Sequence, residues 1–492
     1  MDTITPADRA AGAADPDGPS RTGPLLYLRG VEGGRVALTV LLVVPRDGAP
    51  PVVETADGPV TGREIAATDG RRVLAFAIDL PMAAAAEYRV DGEAYPVDTA
   101  FEGDLRIAFV SCNGQEHDDS DRPLDERDAL WRRLGGAHAE RPFHLLLHGG
   151  DQLYADELLY CHPRVRAWAR GKAPPGGPVD DAEAADIEQA LRTAFFERYL
   201  QLLSQPAIAW LMARVPSLAM WDDHDICDGW GSLAVDKLDS PVGRRLFAVA
   251  RAHFVTFQLG AAPDARPAIC LDETGRSLGW HVALPGLDLI APDLRSERRP
   301  DRVMGEAGWR MLDAALAAAR GRRVLLLSSV PALGPRLSWV EALMGLTRRA
   351  EKYEDDLRDQ WQSRAHRDEW RAFLQRLVHL QAGGGPAVTV LSGEIHLATR
   401  GTLVAEPGPI HQLVASGIAH PPPPQAYARG LGLLARLGES PLPDHPIRLH
   451  PLPGRRGIYT AQRNYLVLER RDGAWRTWWE LEEDGPTPAL DL

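Results

Sequence analysis

The sequence predicts an α/β protein that begins with a strand-rich N-terminal region. Up to about residue 102, segments rich in Val, Leu and Ile, such as Val36–Val44 and Val73–Ile78, are separated at short intervals by Gly, Asp and Pro. This spacing is typical of a β-sandwich. From Leu105 onward, short apolar runs alternate with longer helical stretches, which is the pattern of an α/β sheet.

The apolar runs after Leu105 are continuous and do not alternate with polar residues, which favours strands buried on both faces. They are Ile107–Val110, Leu145–Leu147, Leu218–Met220, Leu287–Ile290, Val324–Leu327 and Val388–Leu391. Helices are predicted between these strands, because apolar residues recur at helical spacing in Leu191–Leu203 and in Trp309–Ala319.

We predict a disordered tail over residues 1–24, a small all-β domain over 25–103, a large α/β domain over 104–480 and a C-terminal tail over 481–492 that frays from Glu482. A charged helical insertion is expected at about 338–381, where Ser338 and Glu341 form a capping box. One face of its helix is apolar and comprises Trp370, Phe373, Leu374, Leu377 and Val378. Packing of this helix on the sheet is favoured over a lid.

Composition and charge exclude several classes of protein. Of the 492 residues, 45% are hydrophobic and 25% are charged, which is ordinary for a globular protein and excludes disorder of the whole chain. The net charge of −13 argues against a nucleic acid as binding partner, because an acidic protein repels the phosphate backbone. No window approaches 18 consecutive apolar residues, so we expect no membrane association through a spanning helix.

The four cysteines, Cys112, Cys161, Cys227 and Cys270, contain no C-x-x-C pair, which excludes zinc ribbons and thioredoxin-like motifs. Reduced thiols are expected, because four cysteines in so long a chain do not make a disulfide scaffold. The N-terminal residues show neither a basic segment followed by an apolar one nor a twin-arginine pair. We therefore expect a cytoplasmic protein, and no obligate protein partner is evident.

Side chains that bind metals follow four of the predicted strands. In an open α/β sheet, ligands bind outside the carboxyl ends of the strands, so these side chains are expected at one edge. The segments are Ser111-Cys112-Asn113, His148-Gly149-Gly150-Asp151-Gln152-Leu153-Tyr154, Trp221-Asp222-Asp223-His224-Asp225 and Ser392-Gly393-Glu394-Ile395-His396.

Each segment alone has an ordinary structural explanation. An Asp after two glycines is usually a turn or a helix N-cap, and a buried Cys usually behaves as a small hydrophobe. Together the segments favour a metal site, because clustered carboxylates repel one another unless cations neutralise them.

Gly275–Gly279 matches the G-x-S-x-G pattern of serine hydrolases, but that pattern requires a helix after the serine. Here Trp280–Leu284 and then Pro285 follow, which predicts a short strand after a hairpin turn. A serine hydrolase is therefore disfavoured, and the chain has neither a Walker A motif nor an H-E-x-x-H helix.

The motifs SCN, HGGDQLYAD, WDDHD and SGEIH, in this order, resemble the alkaline phosphatase D (PhoD-like) branch of the calcineurin-like metallophosphoesterases. The resemblance runs from about Leu105 to near Tyr465 and includes Asp293-Leu294-Arg295, which is similar to the family's D-x-R strand end. It implies a four-layer α/β/β/α metallophosphoesterase sandwich, with the metals at the carboxyl ends of the strands, preceded by the small β-domain.

The resemblance also implies a role for each matching residue. Asp151 would bridge two metals, Tyr154 and Cys112 would bind an iron, Asp223 would bind the second metal, and Glu394 and His396 would bind one metal each. The implied cofactor is a binuclear or multinuclear centre of Fe³⁺ with Ca²⁺. His224 would stand beside the leaving-group oxygen, with Asp225 either orienting it or exposed. Arg295 is a candidate to contact a phosphate oxygen, although a salt bridge to Asp293 or to a helix end is favoured.

Two features depart from the family pattern. Glu394 stands where Asp or His is more usual, and Ser328-Ser329-Val330-Pro331 follow Val324–Leu327 where ordinary metallophosphoesterases place a ligand His. The implied function is a metal-dependent phosphoesterase that hydrolyses phosphomonoesters, phosphodiesters or both through a metal-activated hydroxide, with a small phosphorylated substrate as its partner and His224 as general acid. The alternative is an inactive relative that binds a metal or a partner.

Overall fold

The computed structural model describes residues 21–171, 179–335, 359–436 and 438–492. The strands in these residues are β1 (Thr22–Glu32), β2 (Arg35–Pro45), β3 (Val53–Thr55), β4 (Gly58–Val60), β5 (Arg63–Ala67), β6 (Arg71–Pro81), β7 (Ala86–Val90), β8 (Glu93–Val97), β9 (Leu105–Val110), β10 (Leu145–Gly149), β11 (Ser217–Met220), β12 (Trp280–Leu284), β13 (Leu287–Ala291), β14 (Arg323–Ser328), β15 (Ala387–Ser392), β16 (Thr399–Leu403), β17 (Ile410–Val414), β18 (Glu439–Leu442), β19 (His445–His450), β20 (Asn464–Arg471), β21 (Ala474–Leu481), β22 (Gly485–Pro486) and β23 (Leu490–Asp491).

The helices are α1 (Leu124–Arg127), α2 (Ala129–Glu140), α3 (Pro163–Ala169), α4 (Asp181–Leu203), α5 (Pro206–Met212), α6 (Val235–Leu238), α7 (Pro241–Phe257), α8 (Glu306–Ala318), α9 (Arg367–Gln381) and α10 (Gln425–Ala435). Short 3₁₀ turns lie at Asp119–Asp121, Asp156–Tyr160, Arg364–His366 and Ala382–Gly384.

Two large mixed sheets form the body of the molecule. The first runs β22-β21-β20-β9-β10-β11-β1-β2-β6-β5, with β23 paired to β21, and the second runs β12-β13-β14-β15-β17-β16-β19-β18. In the first sheet β9, β10, β11 and β1 are parallel, and in the second β13, β14, β15 and β17 are parallel. Each parallel block therefore delivers the carboxyl ends of several strands to one edge.

All six apolar runs are strands, and every residue of β10, β11, β13 and β14 is buried. The two sheets share one hydrophobic core. Two indole N–H groups cross between them, because Trp280 donates to the carbonyl of Ala219 and Trp479 donates to that of Val414, both at 2.8 Å. The predicted α/β sandwich is confirmed, and so are helices over Leu191–Leu203 and most of Trp309–Ala319.

The N-terminal region is strand-rich, as expected, but four of its eight strands extend the first large sheet. β1 pairs in parallel with β11, where Tyr27 lies opposite Ser217, and β2, β6 and β5 follow by antiparallel pairing. A separate antiparallel sheet, β4-β3-β7-β8, covers this part of the molecule. The predicted division into domains remains a prediction.

Two expectations about the second half of the chain can be compared with the structure. The residues after Glu482 do not fray, because β22 and β23 both pair with β21, so that expectation is wrong. The amphipathic helix of the insertion is α9, whose Trp370, Phe373, Leu374 and Leu377 are buried. Ser338, Glu341 and the rest of residues 336–358 lie outside the described residues.

No helix within the described parts of the chain combines the length and apolar character that crossing a bilayer requires.

Two buried histidines lie in the helical layer on the first sheet. His253 on α7 stacks against Tyr199 and donates from Nδ1 to the carbonyl of Val249 at 2.8 Å, and His138 lies in the last turn of α2. Burial lowers the pKa of each imidazole to about 4. Between pH 6.5 and 4 the unfolded chain therefore binds protons that the folded chain does not, so stability falls as the pH falls through this window.

We predict that His253→Gln reduces the acid sensitivity of folding. The wild type should lose about 1 kcal/mol of unfolding free energy through His253 between pH 7.5 and 5.5, because one pKa unit corresponds to about 1.4 kcal/mol. Urea unfolding of both proteins at the two pH values measures the difference. His379→Gln is the matched control, because His379 is exposed and its Nδ1 bonds the carbonyl four residues earlier in the same way. Identical pH slopes in wild type and His253→Gln would contradict the prediction.

Candidate metal centre

The carboxyl ends of the parallel strands bring the predicted site residues together. Cys112 follows β9, Asp151 follows β10, Asp223 and His224 follow β11, and Glu394 and His396 follow β15. Hydrogen bonds join the two sheets here. Ser111 Oγ donates to the carbonyl of Ala415 at 2.9 Å, and the Sγ of Cys112 lies 3.1 Å from Ser416 Oγ. The expected convergence on one edge is therefore observed.

Three carboxylates form the centre of the site. Asp151, Asp222 and Asp223 each place an oxygen within 4.8 Å of the other two, and all three are buried. Burial and the neighbouring carboxylates raise the pKa of Asp151 well above its ordinary value. Burial likewise raises the pKa of Asp222 to about 6, although Arg295 opposes the shift. Such a group of acids stays ionised together only when a cation neutralises it.

Asp225, which is fully buried, connects the loops that carry these acids. Its Oδ2 accepts hydrogen bonds from the backbone N–H groups of Asp151 and Asp222, and its Oδ1 accepts from Leu153 N–H and from Gln258 Nε2, at 2.8–3.0 Å. Asp225 therefore neither orients His224 nor reaches solvent, the two alternatives that the sequence left open.

Cys112 and Tyr154 lie on the inner side of this group. Cys112 Sγ is 3.5 Å from Asp151 Oδ2, and the Tyr154 ring stacks on His224 with centroids 4.4 Å apart. Burial raises the pKa of the thiol and of the phenol well above their usual values. Both side chains would be neutral without a cation, and both are of a type that a cation can deprotonate.

Glu394 and His396 approach from the second sheet. Gln360 Nε2 donates to both carboxylate oxygens of Glu394, at 2.9 and 2.8 Å, and burial raises the pKa of this carboxyl well above its ordinary value. The His396 ring stacks on His420 at 3.5 Å between centroids. Burial and His420 lower the pKa of His396 well below its ordinary value, which keeps the imidazole neutral, the form that binds metals.

Two observations show that these residues suit a metal centre. Four buried ligand-type atoms, Asp151 Oδ1, Asp222 Oδ2, Tyr154 OH and His396 Nδ1, have no hydrogen-bond partner among the described residues. Cys112, Asp151, Glu394 and His396 also have positive φ angles of 52–65°, a conformation that costs energy for residues other than glycine. Both features are expected where the backbone aims side chains at a bound cation.

His224 has a partner that the sequence analysis did not assign. Its Nδ1 lies 2.7 Å from Asp156 Oδ2, and Asp156 Oδ1 accepts from the backbone N–H of Asp228. Burial alone would lower the pKa of His224, but Asp156, Asp223 and Asp151 raise it well above its ordinary value. Asp156, and not Asp225, orients the imidazole.

Arg295 is buried beside the site and does not line the cavity above it. Its guanidinium is fully buried, forms an ion pair with Asp222 and contacts Asp359 Oδ2 at 2.5 Å. The side chain of Asp293 instead accepts from the backbone N–H of Arg295 and from the Trp221 indole. The proposed contact of Arg295 with substrate is therefore corrected: its guanidinium pairs with Asp222, Asp223 and Asp359 and donates to the Trp230 carbonyl, and it forms no ion pair with Asp293.

Sequence reasoning missed four residues of the site. Asp222 and Asp156 lie inside the motifs WDDHD and HGGDQLYAD but were given no function, and Glu116 follows the SCN motif by a few residues. His420 groups with Glu116 and His396 within 4.8 Å. His420 follows β17, which is parallel to β15. A search of the residues after each parallel strand would therefore find His420, provided that Ile410–Val414 is recognised as a strand.

The site opens into a cavity of about 420 Å³. Asp151, Asp223, His224, Glu394 and His396 line it, whereas Cys112 and Tyr154 are buried and do not line it. A small substrate can therefore reach the metal-binding side of the site and His224 at the same time.

Comparisons with known proteins agree with this geometry. The family model described as PhoD related phosphatase matches residues 111–354. The uncharacterized protein YGR266W of Saccharomyces cerevisiae is 24% identical over an alignment that covers 77% of this chain and 67% of the yeast protein.

Two solved structures share the fold. The structure of PhoD superposes with a TM-score of 0.59 at 12% identity and covers 96% of this chain and 89% of PhoD. Purple acid phosphatase PPD1 from yellow lupin (Lupinus luteus) superposes with a TM-score of 0.51 at 10% identity and covers 96% of this chain and 73% of the lupin enzyme. The resemblance predicted from the motifs is confirmed: residues 111–354 match the PhoD related phosphatase family, and the chain shares the fold of PhoD and of the lupin purple acid phosphatase.

Proposed function

We propose that this protein is a metal-dependent phosphoesterase that hydrolyses phosphomonoesters, phosphodiesters or both. The observation that carries the proposal is the convergence of unpartnered ligand atoms from both sheets on one cavity, beside a histidine that Asp156 orients. The family match to PhoD related phosphatases supports it. An inactive metal-binding relative is disfavoured, because a purely structural site has no need of a histidine that a buried carboxylate orients.

In this proposal Asp151, Asp223, Glu394, His396, Cys112 and Tyr154 hold a multinuclear centre, and the structure adds Asp222 as a candidate ligand. When bound, the cations supply a water of lowered pKa as nucleophile and neutralise the phosphate oxygens. The carboxylates set the spacing of the site, and the walls of the cavity orient the ester. His224, held at Nδ1 by Asp156, presents Nε2 to the leaving-group oxygen and donates its proton there.

We further propose that the centre contains Fe³⁺ with Ca²⁺. A thiolate and a phenolate on one ion suit a highly charged cation, since normal pKa values near 8.5 and 10 leave both groups neutral at pH 7. The carboxylates on the opposite side suit Ca²⁺, which prefers oxygen ligands. The cytoplasmic location remains a prediction.

Turnover should depend on metal. An aryl phosphomonoester and an aryl phosphodiester are offered to the purified protein before and after EDTA, and again after Ca²⁺ and Fe³⁺ are restored. Activity should be lost with EDTA and recovered with metal. Asp151→Asn should abolish both metal binding and activity, whereas Asp301→Asn, at an exposed acid, should change neither. Metal binding without turnover of either ester would favour the inactive relative.

His224 should act in the chemical step and not in metal retention. His224→Ala is expected to lower kcat by about 10² to 10⁴, the usual range for loss of a general acid, with unchanged metal content. Asp156→Asn should lower kcat less and shift the alkaline limb of the pH–rate profile to lower pH, because loss of the Asp156 charge lowers the pKa of the His224 general acid. His379→Ala serves as the control. Loss of metal from His224→Ala would show that this histidine is a ligand.

Cys112 and Tyr154 should bind the same ferric ion. The wild type is expected to be coloured, with a charge-transfer band in the visible that fades or shifts in both Cys112→Ser and Tyr154→Phe. Visible spectra and iron analysis of each protein measure this. The exposed neighbours Cys161→Ser and Tyr160→Phe are matched controls and should retain the band. A colourless, iron-free and fully active wild type would contradict the assignment.

A further inference from the structure

The cavity over the metal-binding residues has two chemically different halves. One half carries the carboxylates and histidines of the centre. The other half, here called the apolar wall, is formed by apolar and aromatic side chains that no step of the proposed reaction uses. They are Leu333, Ile395, Leu397, Tyr427, Leu431 and Tyr459.

The apolar wall begins directly at the metal-binding residues. Ile395 stands between Glu394 and His396, so its Cα lies one peptide, about 3.8 Å, from the Cα of each. All three residues line the cavity. A phosphorus atom held between these two ligand residues therefore has the apolar wall within the length of a short organic group.

Four of the six residues of the wall belong to a small hydrophobic cluster that is separate from the main core, whereas Leu333 belongs to the main core. Leu397 and Tyr459 are buried in this cluster beneath α10, and Ile395 and Leu431 pack on it while remaining partly exposed. Tyr427, on the same helix, is 40% exposed. Apolar surface left open to water inside a cavity is the surface that an apolar ligand would cover, with a gain proportional to the area removed from water.

The other half of the cavity disfavours a strongly anionic or polyphosphorylated organic group. Apart from His224, its charged lining residues, among those that the structure describes, are carboxylates, including Glu116 and Asp228 beside the centre. A second phosphate placed against these acids would be repelled, whereas an uncharged apolar group on the opposite wall would not be.

We propose that the site selects phosphoesters whose organic group is apolar, either an alkyl chain or an aromatic ring, and that the apolar wall binds this group. The proposal rests on the phosphoesterase function and specifies its substrate class. Within it, Leu431 and Tyr427 determine specificity through contact with the organic group and take no part in bond cleavage.

Two phosphonates with the same head group separate this proposal from the function on which it rests. Calorimetric titration of metal-loaded protein with methylphosphonate and with hexylphosphonate compares binding that differs only in the apolar chain. Hexylphosphonate should bind about 10- to 100-fold more tightly, because a chain of five further methylenes is only partly buried on a wall that stays open to solvent. In parallel, hexyl 4-nitrophenyl phosphate should have a higher kcat/KM than methyl 4-nitrophenyl phosphate.

Substitutions on α10 test whether the apolar wall causes the difference in affinity between the two phosphonates. Leu431→Asp should reduce the affinity ratio of the two phosphonates to less than about 3-fold, and Tyr427→Ala should reduce the ratio in the same direction. Leu433→Asp is the matched control, because Leu433 lies on the same helix, is 64% exposed and does not line the cavity, so the ratio should not change.

The results of these experiments distinguish failure of this proposal from failure of the phosphoesterase function. Equal affinity for the two phosphonates, failure of both to bind, or an unchanged ratio in both Leu431→Asp and Tyr427→Ala would overturn the proposal. A retained affinity ratio without turnover of any ester would overturn the phosphoesterase function and leave the apolar binding site standing.

Discussion

The buried carboxylate of Asp225 is the interaction on which the geometry of the site depends. It accepts backbone N–H groups from the loop after β10 and from the loop after β11, and it is itself held by Gln258 beyond the end of α7. Because the Asp225 carboxylate accepts hydrogen bonds from both loops, it fixes the distance between Asp151 and Asp222 without a cation. Loss of this acceptor would leave several buried N–H groups unpaired, which is costly in a low-dielectric interior.

The close approach of two backbone segments, the loop after β10 and the loop after β11, is a second constraint on the geometry of the site. Gly150 has a φ of 104°, and a Cβ at this position would lie 2.8 Å from the Cβ of Asp222. Only glycine therefore allows the β10 loop to pass so near the β11 loop. The ligand residues beside such contacts adopt left-handed conformations themselves, so the strain is concentrated where the surrounding hydrogen bonds are most numerous.

Some buried polar residues stabilise the site without lining the cavity, because they balance the charge of its carboxylates. Arg295 compensates Asp222 and Asp359 in the interior, and Ser329 donates to Asp222 Oδ1 at 2.7 Å. One oxygen of Asp222 is thus neutralised and fixed within the protein, while Oδ2 has no partner among the described residues. A serine at the end of β14, where a ligand histidine was expected in ordinary metallophosphoesterases, here orients a carboxylate instead.

The sequence by itself determined the sheet and the edge at which chemistry occurs. Continuous apolar runs such as Leu145–Leu147 can be satisfied only as strands buried on both faces, and the residues that follow parallel strands must meet at one edge, so Cys112, Asp151, Asp223, Glu394 and His396 could be found from local pattern alone.

Only the tertiary structure decided which acid serves which group. Asp156, Asp225 and Asp222 all lie in the loops after β10 and β11. Their different functions arise from partners that lie 33 to 73 residues away along the chain, namely His224, Gln258 and Arg295. The same reason explains the joining of the N-terminal strands to the main sheet and the apolar wall beneath α10, since both depend on pairing and packing between segments whose separation in sequence carries no local signal.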